Sequence, residues 1–474
     1  MEQDAIKPDE GGEQWWEQSQ HDGELTRERY KFYMRPEPTE ILGPIEEVDD
    51  ELTGRVLRRR MINVPMIRGG ERKPMEVFLD PLPHVRIKTA KQLQGWYQSR
   101  HWPTHDETGA SLRKRPRPCF TDAMLTEPYG GYCAVGCAFC YINSGFKGYR
   151  GSGLITVPVN YGDQIRRQLS RLRSGTAGYF SSFTDPFLPL EDLYHNTQRG
   201  AEAFVEQGLP IFFLSRVKYP EWAYDLLSKN KYSYMQKSIN CADQDTWKRL
   251  SPGAISLEEH CAEIAEARRR GIYVSIQVNP IVPGVVDHDH VIRTFEMLAE
   301  AGANHVIIKF VEAGFNWAPT MIERIRKRFP DERADEFERL FTQNIGGQRT
   351  IEEPYRMQGH ELYRKAATRL GMTYATCYEY KWQRDAQGEV VNKVGVSIGS
   401  DYLTADQCHG HRVPMFTRDD MTQPFQEVEE CPPSGCLTCG KGDNPDEVPC
   451  GSELFGSAKA LRYPDFKNPV RPIK

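Results

Sequence analysis

The sequence predicts an α/β fold built around a partial (β/α)6 TIM-type barrel, with an N-terminal lead-in and a C-terminal cysteine-rich extension. Between residues 119 and 385, apolar runs of strand length alternate with amphipathic patterns of helical period. Gly271, Gly302 and Gly371 stand where predicted helices end, a position that favours glycine. Repeated strand–helix pairs imply parallel strands joined by right-handed crossovers. Such a barrel carries its chemistry at the carboxyl ends of its strands.

Individual elements follow from the same alternation. The predicted strands cover residues 123–126, 178–183, 211–215, 234–240, 273–279, 305–311 and 373–378. The predicted helices cover residues 163–173, 197–207, 220–229, 257–270, 288–301 and 359–370. Six or seven units of this spacing fit a barrel or part of one.

Composition divides the chain into four parts. Residues 1–52 are acidic and punctuated by Pro and Gly, which predicts a flexible segment; residues 1–51 carry 16 acidic and 5 basic side chains. Residues 53–118 are expected to lead into a barrel at 119–385. The remaining part, 386–474, is rich in Pro, Gly and Cys, which predicts a small unit held together by ligands rather than by an apolar core.

Charge and hydropathy indicate which partners and which location to expect for the protein. The formal net charge is −5, so the body behind the acidic N-terminal part is mildly basic, and the basic runs 58–60 and 113–117 could hold phosphates or simply be solvated. No apolar run approaches the roughly 18 residues that span a bilayer. The first residues lack the basic and then apolar pattern of a secretory signal. We therefore expect a cytoplasmic protein without a membrane partner.

Three cysteines stand close together after the first predicted strand. Cys133, Cys137 and Cys140 have the spacing C-x3-C-x2-C. One loop can bring three thiolates to three irons of a [4Fe–4S] cubane and leave the fourth iron without a protein ligand. A structural zinc site usually has four protein ligands, and no fourth one is adjacent here. The spacing therefore favours a cluster over zinc or incidental cysteines.

This spacing, with the aromatic Phe139 before the last cysteine, resembles the signature of the radical S-adenosylmethionine superfamily. The resemblance implies that the open iron chelates S-adenosylmethionine, whose reductive cleavage yields a 5′-deoxyadenosyl radical that abstracts a substrate hydrogen. It also implies a reducing partner such as flavodoxin or ferredoxin. In such enzymes the cofactor carries the difficult chemistry, while the protein orients it and excludes water.

Residues 120–310 resemble the spore photoproduct lyase and DNA-repair-photolyase-like group in finer detail. The similar stretches are Pro-Tyr-Gly before the cysteine loop, Cys-x-x-Cys-Tyr at its end, and residues 181–191, 238–240 and 280–284. The resemblance implies cofactor contacts from polar side chains at strand ends, namely Thr184, Asp185, Arg216, Ser238, Asn240, Gln277 and Asn279. Thr184 and Asp185 would contact the methionyl amino group, and Arg216 would contact the carboxylate. Ser238 and Asn240 would contact the carboxylate or the ribose. Gln277 and Asn279 would contact the ribose or the adenine. For each of them, a polar strand end satisfied within the protein is the alternative.

Two departures from that group bear on catalysis. The group places a hydrogen-donating cysteine where this chain has Ser182, and an alcohol O–H bond is much stronger than a thiol S–H bond. It also carries a tyrosine where this chain has Phe139, although Tyr141 is retained. Repair of a photoproduct is therefore not expected, and Tyr141 and Ser182 remain the candidate catalytic positions. Modification or isomerisation of a substituent on a thymine-like base stays open.

A second group of cysteines lies near the C-terminus. Cys431, Cys436, Cys439 and Cys450 have the spacing C-x4-C-x2-C-x10-C. Four thiolates so close together can hold an auxiliary [4Fe–4S] cluster or a zinc ion, and unligated thiols are the remaining alternative. The stretch Cys408–His411 could supply or replace a ligand, although a plain loop is the simpler interpretation.

The favoured function is a radical S-adenosylmethionine enzyme acting on a nucleic-acid base, as a lyase, isomerase or other modifying enzyme. Such an enzyme would have to extrude its base from the duplex into the mouth of the barrel. One alternative is a peptide or small-molecule substrate. The other is a non-catalytic metal-binding scaffold that recruits a partner through its acidic N-terminal part.

Overall fold

A computed structural model describes residues 40–50, 55–65, 72–78, 85–88, most of 123–142, 155–158 and most of 160–427. Within these ranges the strands, in chain order, are β1 (Glu40–Asp50), β2 (Arg55–Pro65), β3 (Arg72–Phe78), β4 (Val85–Lys88), β5 (Met124–Thr126), β6 (Ile155–Pro158), β7 (Ser174–Gly175), β8 (Gly178–Phe180), β9 (Ile211–Ser215), β10 (Tyr234–Ser238), β11 (Tyr273–Ile281), β12 (His305–Phe310), β13 (Glu312–Gly314), β14 (Gln343–Ile345), β15 (Gln348–Thr350), β16 (Thr373–Thr376), β17 (Lys381–Arg384), β18 (Val390–Val394), β19 (Phe416–Thr417) and β20 (Gln426–Glu427). The helices are α1 (Tyr161–Leu169), α2 (Glu191–Tyr194), α3 (Asn196–Glu206), α4 (Glu221–Leu227), α5 (Gln244–Leu250), α6 (Leu257–Arg269), α7 (His288–Glu300), α8 (Ala318–Arg328), α9 (Asp331–Leu340) and α10 (Glu353–Arg369).

The central unit is a seven-stranded parallel sheet with the order β16-β12-β11-β10-β9-β8-β5. Its strands follow one another in chain order, with helices in the crossovers, which is the architecture of a partial TIM-type barrel. The predicted fold class is therefore confirmed. Each of the seven predicted strands and six predicted helices has an observed counterpart, although their ends differ by up to six residues.

Helices α2, α5, α8 and α9 were not predicted. The prediction assumed one helix for each crossover, whereas β10 is followed by both α5 and α6. The connection from β12 to β16 holds α8 and α9, a three-stranded antiparallel sheet of β13, β15 and β14, and α10. Two of these helices contact the loop after β5, since the Ala138 N–H donates to the Leu250 carbonyl at the end of α5 and Arg328 of α8 donates to the Gly136 carbonyl.

Local sequence explains where the helices begin and end. Ser256 caps α6: its hydroxyl accepts from the Glu259 backbone N–H at 3.2 Å, while the Glu259 carboxylate accepts from the Ser256 N–H at 2.8 Å. This reciprocal pair satisfies two N–H groups that a helix start leaves without partners. Gly271 has φ 75° directly after α6, a left-handed conformation that favours glycine.

The strands bury both of their faces. On β11, Val274, Ile276 and Val278 pack into the large cluster beneath the helices, whereas the alternate residues face the barrel interior. At the amino end, stacked aromatic rings fill that interior. The ring centroid of Phe212 lies 4.5 Å from that of Tyr179 and 4.4 Å from that of Tyr234. The amino end is thus a packed core, which leaves the carboxyl edge for chemistry.

The stretch Cys408–His411 closes this amino end. His409 is buried, and its ring nitrogen lies 2.6 Å from the Tyr234 hydroxyl. His411 stacks on Tyr273 with ring centroids 4.6 Å apart, and the Cys408 carbonyl lies 2.7 Å from a ring nitrogen of His305. The stretch is a loop, as the simpler interpretation predicted, and its side chains complete the aromatic core at this end of the barrel.

A second sheet with the order β1-β2-β3-β4-β6 lies partly within the segment predicted to be flexible. For residues 40–50 that expectation is wrong, since they form β1 and pair antiparallel with β2. Glu47 stands opposite Arg58 in this register, and opposite charges across a strand pair are favourable. The acidic run was interpreted without its basic partner strand. Residues 1–39 lie outside the described part, and the other predicted domain boundaries stay predictions.

Within the described residues, no helix combines the length and apolar character needed to cross a membrane.

Candidate active site

The cysteine loop lies at the carboxyl end of β5. Cys133 and Cys137 are buried and Cys140 is half-buried. The loop is tightly turned: the Cys140 N–H donates to the Cys137 carbonyl at 3.1 Å, and Gly136 has φ 66°. Burial raises the pKa of the Cys133 thiol well above its usual value, and the neighbouring Cys140, Asp185 and Cys137 add to the rise. The thiols of Cys137 and Cys140 therefore lie close enough to that of Cys133 to interact with it electrostatically.

This donor set fits an iron–sulfur cluster. Thiolates held together in a buried site repel each other unless bound metal neutralises them, and sulfur is the preferred ligand of such clusters. In the described part of the chain, no three His, Cys, Asp or Glu side chains are gathered tightly enough to hold a single metal ion. A cubane does not require such a group, because it takes each thiolate on a different iron.

Backbone contacts fix the loop on the barrel. The Ala138 N–H donates to the Leu250 carbonyl at 2.8 Å, and the Gly253 N–H donates to the Val135 carbonyl at 2.9 Å. Arg328 donates to the Gly136 carbonyl at 3.0 Å. The turn after α5 and the end of α8 thus hold the loop from two sides. Neither contact was predicted, since these elements are more than 100 residues away along the chain.

Glu127 organises the neighbouring loop and was missed by the sequence analysis. This buried carboxylate follows β5 and accepts from the Ser181 hydroxyl at 2.6 Å. It also accepts from the Ser182 N–H at 2.8 Å, the Ser182 hydroxyl at 3.0 Å and the Phe183 N–H at 2.8 Å. The Thr184 hydroxyl lies 3.4 Å from the same carboxylate. Ser182 and Thr184, both predicted site residues, are therefore bound within the protein.

Asp185 joins the ends of two strands. It is buried, and its carboxylate accepts from the Arg216 N–H at 2.8 Å, the Phe187 N–H at 3.0 Å and the Ser215 hydroxyl at 2.9 Å. Burial raises the pKa of Asp185, while these donors oppose the rise. The contacts orient the loop after β8 against the end of β9.

Arg216 lies at the centre of the predicted cofactor side chains. Its guanidinium donates to the Asn240 side-chain oxygen at 3.3 Å and to the Asn279 carbonyl at 2.9 Å. It also lies over the ring of Phe139, 5.1 Å from the centroid, and over that of Trp247 at 5.2 Å. A cation between two aromatic faces is held in orientation. Arg216 therefore links the cysteine loop to the ends of β10 and β11.

The remaining predicted cofactor residues form one polar row. The Ser238 hydroxyl lies 3.5 Å from the Asn279 carbonyl, and the Asn240 amide donates to the Pro280 carbonyl at 3.0 Å. The Asn279 amide donates to the Gln277 side-chain oxygen at 3.4 Å. The structure brings these side chains together at one edge, as the sequence predicted for strand ends.

Tyr141 lies between the loop after β8 and Trp317, which directly precedes α8. Its hydroxyl donates to the Ser182 carbonyl at 3.4 Å, and its ring packs edge-on against Phe183, with centroids 6.3 Å apart. The Trp317 ring lies 6.2 Å away on another side. The two candidate catalytic positions, Tyr141 and Ser182, are thus neighbours.

The sequence analysis also missed charged side chains on β12 and just after β16, the two strands of the central sheet farthest from β5. Val306, Ile308 and Phe310 face the helices, so Lys309 on β12 faces the barrel interior, where it pairs with Glu312 at 3.3 Å. Cys377 directly follows β16, the strand that pairs with β12, and its N–H donates to the Ile308 carbonyl at 2.8 Å. An isolated lysine inside a strand pattern carries no sequence signal of its own, and only the sheet shows where it points.

Just beyond β16, Glu379 is buried in an ion pair with Arg356 and lies 2.9 Å from a ring nitrogen of His360. Burial lowers the pKa of Arg356 to about 9 and that of His360 well below its usual value. The His360 ring is therefore neutral and can donate to Glu379 from one nitrogen while accepting from Tyr374 at the other, 2.8 Å away. This network anchors α10 to the end of the sheet.

The second cysteine group, Cys431, Cys436, Cys439 and Cys450, lies outside the described residues.

The chain is 61% identical over 461 residues to a protein of Pseudomonas phage M6 named radical SAM Nα-GlyT isomerase, covering 95% of this chain and 94% of that protein. No protein-family model matches the chain. Among solved structures, a spore photoproduct lyase variant covers 61% of this chain and 80% of its own, with a TM-score of 0.45 and 14% identity. Spore photoproduct lyase with dinucleoside spore photoproduct gives a TM-score of 0.43 and 16% identity, again over 61% and 80%.

The match to the phage protein extends over nearly the whole of both chains. Radical SAM enzymes depend on S-adenosylmethionine and a [4Fe–4S] cluster, and the three thiols of the loop are the predicted ligands of that cluster. The chain therefore belongs to the same family of radical S-adenosylmethionine isomerases as the phage M6 protein.

Proposed function

We propose that this enzyme isomerises a glycyl substituent carried through its α nitrogen by a thymine-like base in DNA. The observation that carries the proposal is the 61% identity to an isomerase whose name specifies Nα-GlyT, in which we interpret the T as thymine. The sequence independently favoured a nucleic-acid base as substrate and left open the isomerisation of a substituent on a thymine-like base. The base would have to leave the duplex to reach the barrel mouth.

The cofactor side of the site consists of the cysteine loop and the polar row at β9–β11. When bound, the cluster and S-adenosylmethionine supply a 5′-deoxyadenosyl radical, and the electron comes from a reductant such as flavodoxin or ferredoxin. Cys133, Cys137 and Cys140 would hold the cluster. Arg216 provides a fixed cation for a carboxylate, and the neighbouring amides provide donors and acceptors for a nucleoside. We also infer that the protein acts in the cytoplasm.

We assign the substrate-binding part of the site to β12, the strand that carries Lys309. Lys309 faces the interior, where it pairs with Glu312, and we assign to this cation the binding of the carboxylate of a glycyl group. An isomer keeps every atom of its substrate, so the abstracted hydrogen must be returned to the product. Ser182 does not return it, because its O–H bond is too strong and its hydroxyl is bound to Glu127.

Residues 431–450 are proposed to hold a second metal centre, either a [4Fe–4S] cluster or a zinc ion. Four thiolates in 20 residues provide a complete ligand set for either.

The reconstituted, reduced enzyme should be incubated anaerobically with S-adenosylmethionine and one of two substrates. One is an oligonucleotide with a glycylated thymine, and the other is a peptide with an N-terminal glycine. We expect a nucleoside of unchanged mass and altered chromatographic retention, formed from the oligonucleotide alone. The variant lacking all three loop cysteines should form neither this product nor 5′-deoxyadenosine. Turnover of the peptide but not of the oligonucleotide would refute the proposed substrate.

A further inference from the structure

We propose that Ser251 raises the reduction potential of the cluster by donating a hydrogen bond to one of its cysteine ligands. The Ser251 hydroxyl lies 3.3 Å from the Cys137 sulfur, and the residue is fully buried. The Arg216 guanidinium lies 3.3 Å from the same hydroxyl. These contacts form a chain from a fixed cation, through a hydroxyl, to a predicted cluster ligand.

The direction of each hydrogen bond follows from the chemistry of the groups. A guanidinium can only donate, so Arg216 must donate to the Ser251 oxygen. A hydroxyl has a single hydrogen, and the oxygen that accepts from Arg216 keeps that hydrogen for the Cys137 sulfur. The positive charge behind the hydroxyl polarises it and strengthens its donation to a thiolate. The hydrogen bond therefore depends on the charge of Arg216 as well as on the serine.

The surrounding structure holds this chain in place. Ser251 directly follows α5, and its backbone N–H donates to the Trp247 carbonyl at 2.8 Å. Leu250, directly before Ser251, and Gly253, two positions after it, make the two backbone–backbone hydrogen bonds that fix the cysteine loop. The Trp247 ring also covers Arg216. One short turn thus positions the loop, the hydroxyl and the cation together.

The consequence concerns the electron that starts the reaction. A reduced cluster carries one more negative charge than an oxidised one, and a donor aimed at a ligand sulfur stabilises that extra charge. Hydrogen bonds to the sulfurs are among the features that set the potentials of iron–sulfur clusters. Ser251 is therefore a positioning residue that makes the cluster easier to reduce. This inference rests on the cluster and not on the identity of the substrate.

The test compares cluster potentials in loaded protein, measured by spectroscopically monitored redox titration without substrate. Ser251→Ala should lower the ratio of reduced to oxidised cluster at a fixed potential by about tenfold, which corresponds to about 59 mV for a one-electron couple. The control is Ser233→Ala. Ser233 is equally a buried serine, but its hydroxyl accepts from the Ile211 N–H at 2.9 Å near the amino ends of the strands. This control should leave the potential unchanged.

A matched pair keeps the inference testable if the alanine variant does not take up iron. Ser251→Thr and Ser251→Val have nearly the same shape, and only the threonine keeps a hydroxyl. We expect the threonine variant to stay near the wild-type potential and the valine variant to fall as the alanine variant does. Equal potentials in the threonine and valine variants, or no change in loaded Ser251→Ala, would overturn the proposal. A shift in Ser233→Ala as large as that in Ser251→Ala would overturn it too.

Discussion

Replacing Glu127 should destabilise the loop that carries Thr184 and Asp185. In Glu127→Ala, the backbone N–H groups of Ser182 and Phe183 lose their acceptor at 2.8 Å, and the Ser181 hydroxyl loses the Glu127 oxygen at 2.6 Å but keeps the Thr184 carbonyl at 2.8 Å. A hydrogen bond to a charged group contributes roughly 1.5–3 kcal/mol, and a buried donor left without a partner costs roughly 1–3 kcal/mol. Since water and rearrangement recover part of this, we expect a loss of about 4 kcal/mol.

The assay is urea denaturation of the loaded enzyme, combined with amide hydrogen exchange of the loop after β8. Glu127→Gln should lose roughly half as much as the alanine variant, because its remaining oxygen can still accept from two backbone N–H groups. Glu206→Ala serves as the control, since Glu206 is half exposed and pairs with Arg166 at the surface. That change should cost under about 1 kcal/mol. A loss below about 1 kcal/mol in Glu127→Ala, with unchanged loop exchange, would refute this reasoning.

Three further predictions concern Ser182, Glu191 and the C-terminal cysteines. Ser182→Ala should leave isomer formation largely intact, with a stability loss of about 1 kcal/mol from the hydrogen bond to Glu127; severe loss of turnover with normal cofactor binding would show that the hydroxyl acts in catalysis. Burial raises the pKa of Glu191 from 4.5 to about 7. The folded state therefore holds this proton more tightly than the unfolded state, and stability falls as the pH rises from about 4.5 to 7. One pKa unit corresponds to about 1.36 kcal/mol. Between pH 5 and pH 8, the free energy of unfolding of the wild type should therefore fall by about 3 kcal/mol relative to that of Glu191→Gln. A difference between the two proteins that does not depend on pH in urea titrations would contradict this. The variant lacking the three loop cysteines should retain about four irons if residues 431–450 bind a cubane, or about one zinc, as determined by metal analysis. In either case Cys436→Ser/Cys439→Ser should make the C-terminal extension sensitive to protease, and a metal-free chain with unchanged protease resistance would leave these cysteines as loop residues.

The sequence was most informative where a signal is local. Strand and helix periods identified all seven strands of the barrel, because alternating burial along a short segment is visible in that segment alone. The three-cysteine spacing likewise predicted the superfamily, which the 61% identity to a radical SAM isomerase confirms, while the cluster ligands stay a prediction. The acidic run at 40–50 shows the limit of such signals, since its pairing with the basic strand β2 reversed the expectation of flexibility.

Side chains whose role depends on a distant partner were missed. Glu127 precedes Pro128 without any periodic signal, and its importance comes from β8, which lies beside β5 in the sheet. Lys309 is a single cation in an apolar strand, and its inward direction follows from the neighbours that face the helices. The stretch Cys408–His411 was considered as a source of metal ligands, but the structure packs it into the amino end of the barrel.

The sequence by itself determined the fold class and the radical S-adenosylmethionine superfamily, and it predicted the loop that holds the cluster, because each signal lies in spacings of a few residues. Only the tertiary structure decided which side chains surround that loop. Ser251 and Cys137 are 114 positions apart, yet their side chains are in hydrogen-bonding contact. The physical reason is that parallel strands bring their carboxyl ends to one edge whatever the length of the crossovers between them. The order of the strands, and not proximity along the chain, therefore selects the neighbours of the cluster.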